Sequence, residues 1–138
     1  MRLPAPKPGL VIRYDFVWRH DENQVTGKER PACLVAVAET DPRLVVILPI
    51  THSPPHGTTV GIEIPLKVSR ALGLDELRSW VVVSEANIDH WPNAGLASVP
   101  GKQSAFAYGF LPPGLFDSIK TRFFELLAER RAHAVQRR

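Results

Sequence analysis

The chain reads KERPACLVAVA at residues 28–38 and LVVILPIT at residues 44–51, and these two apolar runs decide the fold. An Asp-Pro-Arg segment between them has the composition of a turn. The two runs are therefore predicted to form an antiparallel hairpin. Arg30 would begin one strand and Thr51 would end the other, which places both at the same edge of the sheet. Together with the imidazole of His52, they form a set of groups able to bind a phosphate.

The composition is that of one globular domain. The 138 residues are 44% hydrophobic and 22% charged, which is ordinary for a folded protein. The one cysteine, Cys33, excludes an internal disulfide framework and a cysteine-based zinc cluster, and its apolar surroundings predict a buried thiol. We find neither the apolar region of a signal peptide nor the run of about 20 apolar residues that a membrane helix needs. We therefore expect a cytoplasmic protein without a membrane partner.

The positive charge is concentrated near the C-terminus. Residues 113–138 contain six Lys and Arg and three Asp and Glu, so the whole net charge of +3 lies there. A basic end of this kind can help to bind RNA or an acidic partner, and it is equally typical of the solvated end of a helix. The charge alone does not decide between these interpretations.

The periodicity of apolar residues predicts an α+β protein that is mainly β. An extended arm is expected at residues 1–8, a polar loop at 19–29, and a basic tail at 133–138. Residues 9–132 are predicted to form a small antiparallel barrel with a short inserted helix and a capping C-terminal helix. The predicted strands are 10–18, 30–38, 44–50, 58–64, 79–87 and 105–111, and the predicted helices are 65–72, ending at Gly73, and 115–132.

Three residues at the hairpin edge are candidates for chemistry. Pro31 holds the backbone of Arg30 extended, so its guanidinium can either bind a phosphate or lie solvated beside Glu29. Thr51 can position a phosphate or bond its own backbone. His52 can act as an acid or a base because imidazole titrates near neutrality. The spacing of His52 and His56 in a loop is weak evidence for a metal, and we expect no metal and no cofactor.

A second group of candidates follows the predicted strand at 79–87. Since alternate residues of a strand share a face, Glu85, Asn87 and Asp89 either line one side of a groove or form a polar strand end. Tryptophans can stack on bases. Trp91 lies in a loop and is the best stacking candidate, whereas Trp80 is predicted to be in the core.

In their order along the chain, these segments resemble the MazF/PemK family of toxins from toxin–antitoxin pairs. The resemblance covers residues 9–127. It rests on Gly9 and Tyr14-Asp15-Phe16, Lys28-Glu29-Arg30-Pro31-Ala32, Leu48-Pro49-Ile50-Thr51, Ser84-Glu85-Ala86-Asn87, and a C-terminal helix rich in Ile, Leu and Phe.

The resemblance implies an SH3-like barrel, a homodimer and metal-independent cleavage of single-stranded RNA, with a small antitoxin as a protein partner. It also implies that Arg30 and Thr51 carry catalysis. To these we add His52 as a catalytic candidate, and we assign RNA binding to Lys28, Ser53, Glu85, Asn87 and Trp91. The alternative is a non-enzymatic toxin or binding module of the same fold that acts on gyrase or RNA. An orphan RNA-binding regulator is a third possibility.

Overall fold

The computed structural model describes residues 3–21, 27–40, 42–102 and 105–137. The predicted arm, loops, turn and tail extend outside these ranges at residues 1–2, 22–26, 41, 103–104 and 138. The described residues form a mainly β protein of the α+β class, as predicted. Its elements are β1 Leu10–Phe16, β2 Lys28–Ala38, β3 Leu44–Thr51, β4 Gly61–Ile64, α1 Leu66–Leu72, β5 Ser79–Val82, β6 Glu85–His90, β7 Leu96–Ala97, β8 Ala107–Phe110, α2 Pro113–Ala128 and β9 His133–Gln136.

The predicted hairpin of β2 and β3 lies at the centre of the sheet. β2 pairs antiparallel with β1 on one side and with β3 on the other. Ala32 lies opposite Pro49, and the same register continued by two residues places Arg30 opposite Thr51. The hairpin thus brings the two predicted residues to one edge of the sheet.

One edge of β3 is shared by two strands. The end of β3 pairs with β5, and its start pairs with β6. The single strand predicted over 79–87 is wrong in this respect, because Val83 and Ser84 leave the β3 ladder. The Val83 amide donates to the Val60 carbonyl over 2.8 Å, and the Ser84 hydroxyl accepts from the Val60 amide over 2.9 Å. Such an irregularity bends the strand and helps the sheet to curl.

The strands form one curled, barrel-like sheet, as expected for a small SH3-like barrel. β7 and β8 pair with the free edge of β1, and β4 pairs with β5. Two apolar clusters fill the structure. One contains Cys33, which is buried as predicted, with Leu48, Ile119 and Phe123, and the other contains Ile12, Tyr14, Phe16 and Ile47. Burial of these side chains is the main driving force for folding.

Both helices lie near their predicted positions. α1 ends at Gly73, whose left-handed backbone (φ 73°) suits a residue without a Cβ. α2 ends earlier than predicted because Arg130 adopts a left-handed conformation (φ 59°) and the Arg131 amide donates to the Leu126 carbonyl over 2.8 Å. These bonds reverse the chain and start β9. Neither helix, among the residues described, is long and apolar enough to cross a membrane.

The prediction of a basic tail at 133–138 is wrong for its described part. β9 pairs in parallel with β6, and Val135 is buried. Beyond β9, the guanidinium of Arg137 donates to the Tyr14 hydroxyl over 3.0 Å and to the Asp15 carbonyl, and it lies 3.3 Å from the Asp15 carboxylate. Its side chain is only 11% exposed. Arg137 is therefore an internal structural ion and not a charge offered to RNA.

Replacement of Arg137 by methionine is expected to destabilise the fold by about 2–4 kcal/mol, because Tyr14 and Asp15 would lose their buried partner. The free energy of unfolding in urea measures this loss. Arg131→Met is the matched control, since Arg131 is exposed and pairs with the likewise exposed Glu129, and it should change stability by less than about 0.5 kcal/mol. Equal effects of the two substitutions would contradict a structural role for Arg137.

Candidate nucleic-acid-binding cleft

A cleft of about 910 Å³ opens at the edge of the hairpin, and both Arg30 and Thr51 line it. Its walls come from the ends of β1 to β3, the loop after β3, the segment after α1, and β8. Six of the eight predicted site residues line it: Lys28, Arg30, Thr51, His52, Ser53 and Glu85. The hairpin register accounts for this convergence, because it brings the start of β2 and the end of β3 to the same place.

The guanidinium of Arg30 lacks an anionic partner among the described residues. Its Cζ lies 5.2 Å from the centroid of the Trp18 ring, and its buried Nε forms no hydrogen bond with the described part of the chain. Burial lowers the pKa of Arg30 from its usual value, and the positive charge of Arg13 lowers it further. The fold thus disfavours the charged form of Arg30, and an anion in the cleft would relieve this cost.

Arg13 is a cleft residue that the sequence interpretation missed. Its Nη1 lies 3.4 Å from the Tyr108 hydroxyl and its Nε lies 4.0 Å from the Glu29 carboxylate. That Nε is also buried, and no residue within the described ranges forms a hydrogen bond with it. The available signal was a charged residue in the middle of an apolar strand, because arginine is seldom placed there without a partner.

His52 lines the cleft, but both of its ring nitrogens are occupied. Nδ1 lies 2.9 Å from the Arg78 carbonyl and Nε2 lies 2.9 Å from the Asp75 carboxylate. Both partners are hydrogen-bond acceptors. These bonds tie the loop after β3 to the segment before β5. The geometry favours a positioning role for His52 over the predicted acid–base role.

Thr51 adopts one of its two predicted roles and keeps the other available. Its Oγ1 accepts a hydrogen bond from the Ser53 amide over 3.1 Å, which shapes the start of the loop. The hydroxyl proton can still be donated to a ligand. His56 lines the same cleft, but no group of three or more His, Cys, Asp or Glu side chains in the described ranges is arranged to hold a metal ion.

The predicted polar face of β6 divides between the cleft and the core. Glu85 lines the cleft, and its carboxylate accepts the Arg19 amide over 2.7 Å. Asn87 is 0% exposed and forms two hydrogen bonds with the backbone of Val17, of 2.9 and 2.7 Å. The assignment of Asn87 to RNA binding is therefore corrected, because its side-chain amide is buried and bonded to the backbone of the residue that follows β1. It fixes the backbone next to Trp18.

Trp91 does not reach the cleft. Its side chain is 8% exposed and belongs to the second apolar cluster, and its amide donates to the Arg43 carbonyl over 3.0 Å. Its assignment as a base-stacking residue is corrected, because a buried ring offers no face to a base. Trp80 is in the core, as predicted. Trp18 and Tyr108 are the aromatic side chains that line the cleft.

Replacement of Arg30 by methionine is expected to leave the free energy of unfolding within about 0.5 kcal/mol of its original value. The lost contact with Trp18 is worth roughly 0.5–1 kcal/mol, and removing a desolvated charge from beside Arg13 offsets it. Urea unfolding of Arg30→Met and Arg137→Met, measured side by side, makes the comparison. A loss above about 2 kcal/mol at Arg30 would mean that the protein itself supplies an anion to this residue.

Comparison with known proteins gives no further guide to the cleft. No protein-family model matches the chain, and no curated protein matches it. The functional proposal therefore depends on the cleft and on the sequence motifs that line it.

Proposed function

We propose that the chain is the toxin of a toxin–antitoxin pair and that it cleaves single-stranded RNA in the cleft. The observation that carries the proposal is the guanidinium of Arg30, which lines the cleft together with Thr51 and has no anionic partner among the described residues. A phosphodiester would provide that partner. The motifs that resemble the MazF/PemK family include both residues.

The reaction is attack by a ribose 2′-hydroxyl on the adjacent phosphorus. The P–O5′ bond breaks, which leaves a 2′,3′-cyclic phosphate and a 5′-hydroxyl. Arg30 stabilises the negative charge that develops on the phosphate oxygens, and the Thr51 hydroxyl donates to one of them. A carboxylate of the cleft, Glu29 or Glu85, accepts the 2′-hydroxyl proton, and a water molecule donates a proton to the 5′ oxygen as it leaves.

The proposed function brings further expectations with it. The protein is a cytoplasmic homodimer, its reaction needs no divalent metal, and an acidic segment of an antitoxin silences it by covering the cleft and pairing with Arg13, Lys28 and Arg30. Lys28 and Ser53 line the cleft beside the proposed catalytic pair and contact the RNA on either side of the scissile phosphate.

A binding function without cleavage is the second candidate, and one observation favours it. Both ring nitrogens of His52 are engaged by Arg78 and Asp75, so this imidazole is not free to transfer a proton. A cleft that binds phosphates but offers no free imidazole for proton transfer suits a non-enzymatic toxin or an RNA-binding module. The two candidates differ in whether bound RNA is cut.

The test is incubation of the purified protein with single-stranded RNA in excess chelator. We expect fragments that carry 5′-hydroxyl and 2′,3′-cyclic phosphate ends. Arg30→Gln and Thr51→Ala should each lower the cleavage rate about 100-fold or more, because each removes a donor to the reacting phosphate. Arg70→Gln is the matched control, since Arg70 pairs with Glu76 outside the cleft, and it should cleave at the original rate.

Two results would count against the enzymatic proposal. RNA that is bound but never cut would favour the second candidate. Cleavage that stops in chelator and returns with magnesium would overturn the expectation that no metal is needed. Induction of each variant in a bacterial host, followed by growth, tests whether loss of cleavage and loss of toxicity coincide.

A further inference from the structure

We propose that Arg13 and Tyr108 form a second phosphate-binding site in the cleft, which holds the RNA phosphate next to the one bound by Arg30. This inference rests on the proposed function, since it takes RNA as the occupant of the cleft. It adds two residues that the sequence motifs do not include.

The positive charge of the Arg13 side chain is poorly compensated. The side chain is 22% exposed, and its buried Nε forms no hydrogen bond with any described residue. Its nearest carboxylate oxygen belongs to Glu29 at 4.0 Å, the outer limit of an ion pair, and that side chain is 58% exposed. An ion pair this long and this exposed compensates little of the Arg13 charge. Arg13 therefore retains the capacity to bind an anion.

Arg13 and Arg30 enter the cleft from different faces of the β1–β2 pair. Arg13 lies opposite Pro31, and Tyr14 lies opposite Arg30. Because opposite residues share a face and successive residues alternate, Arg13 and Arg30 leave opposite faces of the β1–β2 pair. Both nevertheless line the same cleft. This arrangement suits two neighbouring phosphates of one strand better than a single phosphate held by both residues.

The hydroxyl of Tyr108 adds a hydrogen-bond donor beside Arg13. It lies 3.4 Å from Nη1 of Arg13 and lines the cleft. While it accepts from Arg13, its own proton remains available to an acceptor. A phosphate oxygen beside the two side chains would receive a charge-assisted bond from the guanidinium and a second bond from the phenol. The lowered pKa of Arg30, caused in part by Arg13, agrees with two cations that lack compensating anions.

The test counts phosphate contacts with a fluorescent 2′-O-methyl RNA oligonucleotide, which has the RNA backbone but no nucleophile. Its affinity is measured by anisotropy over a salt series. For single strands, each phosphate contact contributes roughly −0.7 to the slope of log affinity against log salt. Arg13→Gln and Arg30→Gln should each reduce the slope by about 0.7, and the double variant by about 1.4. Arg70→Gln, outside the cleft, should leave it unchanged.

Tyr108→Phe removes the phenol hydroxyl and leaves the charge of Arg13 in place, so it tests the hydroxyl by itself. It should weaken binding several-fold without changing the slope, because the phenol carries no charge to the phosphate. If Arg13→Gln does not fold, Arg13→Lys replaces it. Lysine keeps the charge and hence the slope, but it binds less tightly because it lacks the fork of donors.

The outcomes distinguish this site from the proposed function. If Arg13→Gln leaves slope and affinity unchanged while Arg30→Gln reduces both, the second site is wrong and RNA cleavage can still be correct. If both slopes fall as expected but unmodified RNA stays intact, the site is correct and the cleavage proposal fails. If the unaltered protein does not bind the oligonucleotide at all, both proposals are overturned.

Discussion

The antiparallel pairing of β2 with β3 is the constraint on which the rest of the structure depends. β1 pairs with the outer edge of β2, and β5 and β6 share the outer edge of β3. The register that places Ala32 opposite Pro49 also sets the positions of Arg30 and Thr51 at the open end of the hairpin. A shift of one residue would turn every side chain of β2 to the other face and separate the core from the cleft. The register of β2 and β3 thus determines both the fold and the candidate site.

Arg137 and Arg30 carry the same charge but differ in the partners that the structure gives them. Arg137 is surrounded by acceptors from β1 and β6 and closes the end of the barrel. Arg30 is half-buried against Trp18 with an unbonded Nε. Folding alone would not favour the second arrangement, because a desolvated cation without a partner costs stability. Such a cost is characteristic of a site whose partner is a ligand.

The elements that the sequence predicted well are those determined by local pattern. The hairpin follows from two apolar runs and a turn, and α1 follows from Pro65 near its start and Gly73 at its end. The wrong predictions concern side chains whose positions are set by contacts with residues far away in the sequence. Asn87 pairs with Val17, and Arg137 with Tyr14, across 70 and 123 residues of chain. No local pattern indicates such pairings, so β9 was predicted as a tail and Asn87 as an RNA contact. Trp91 was misplaced for the same reason, because its loop packs against the sheet.

Arg30 has no anionic partner among the residues that the structure describes, and we propose that it takes one from the phosphate of its ligand. The most direct measurement is the NMR signal of the Arg30 Nε–H group, assigned with Arg30→Lys and followed while a 2′-O-methyl RNA oligonucleotide is added. We expect this signal to shift and its exchange with water to slow as the oligonucleotide binds, while the Arg137 signal stays unchanged. An Arg30 signal that exchanges slowly in the free protein and does not respond to bound oligonucleotide would contradict the account.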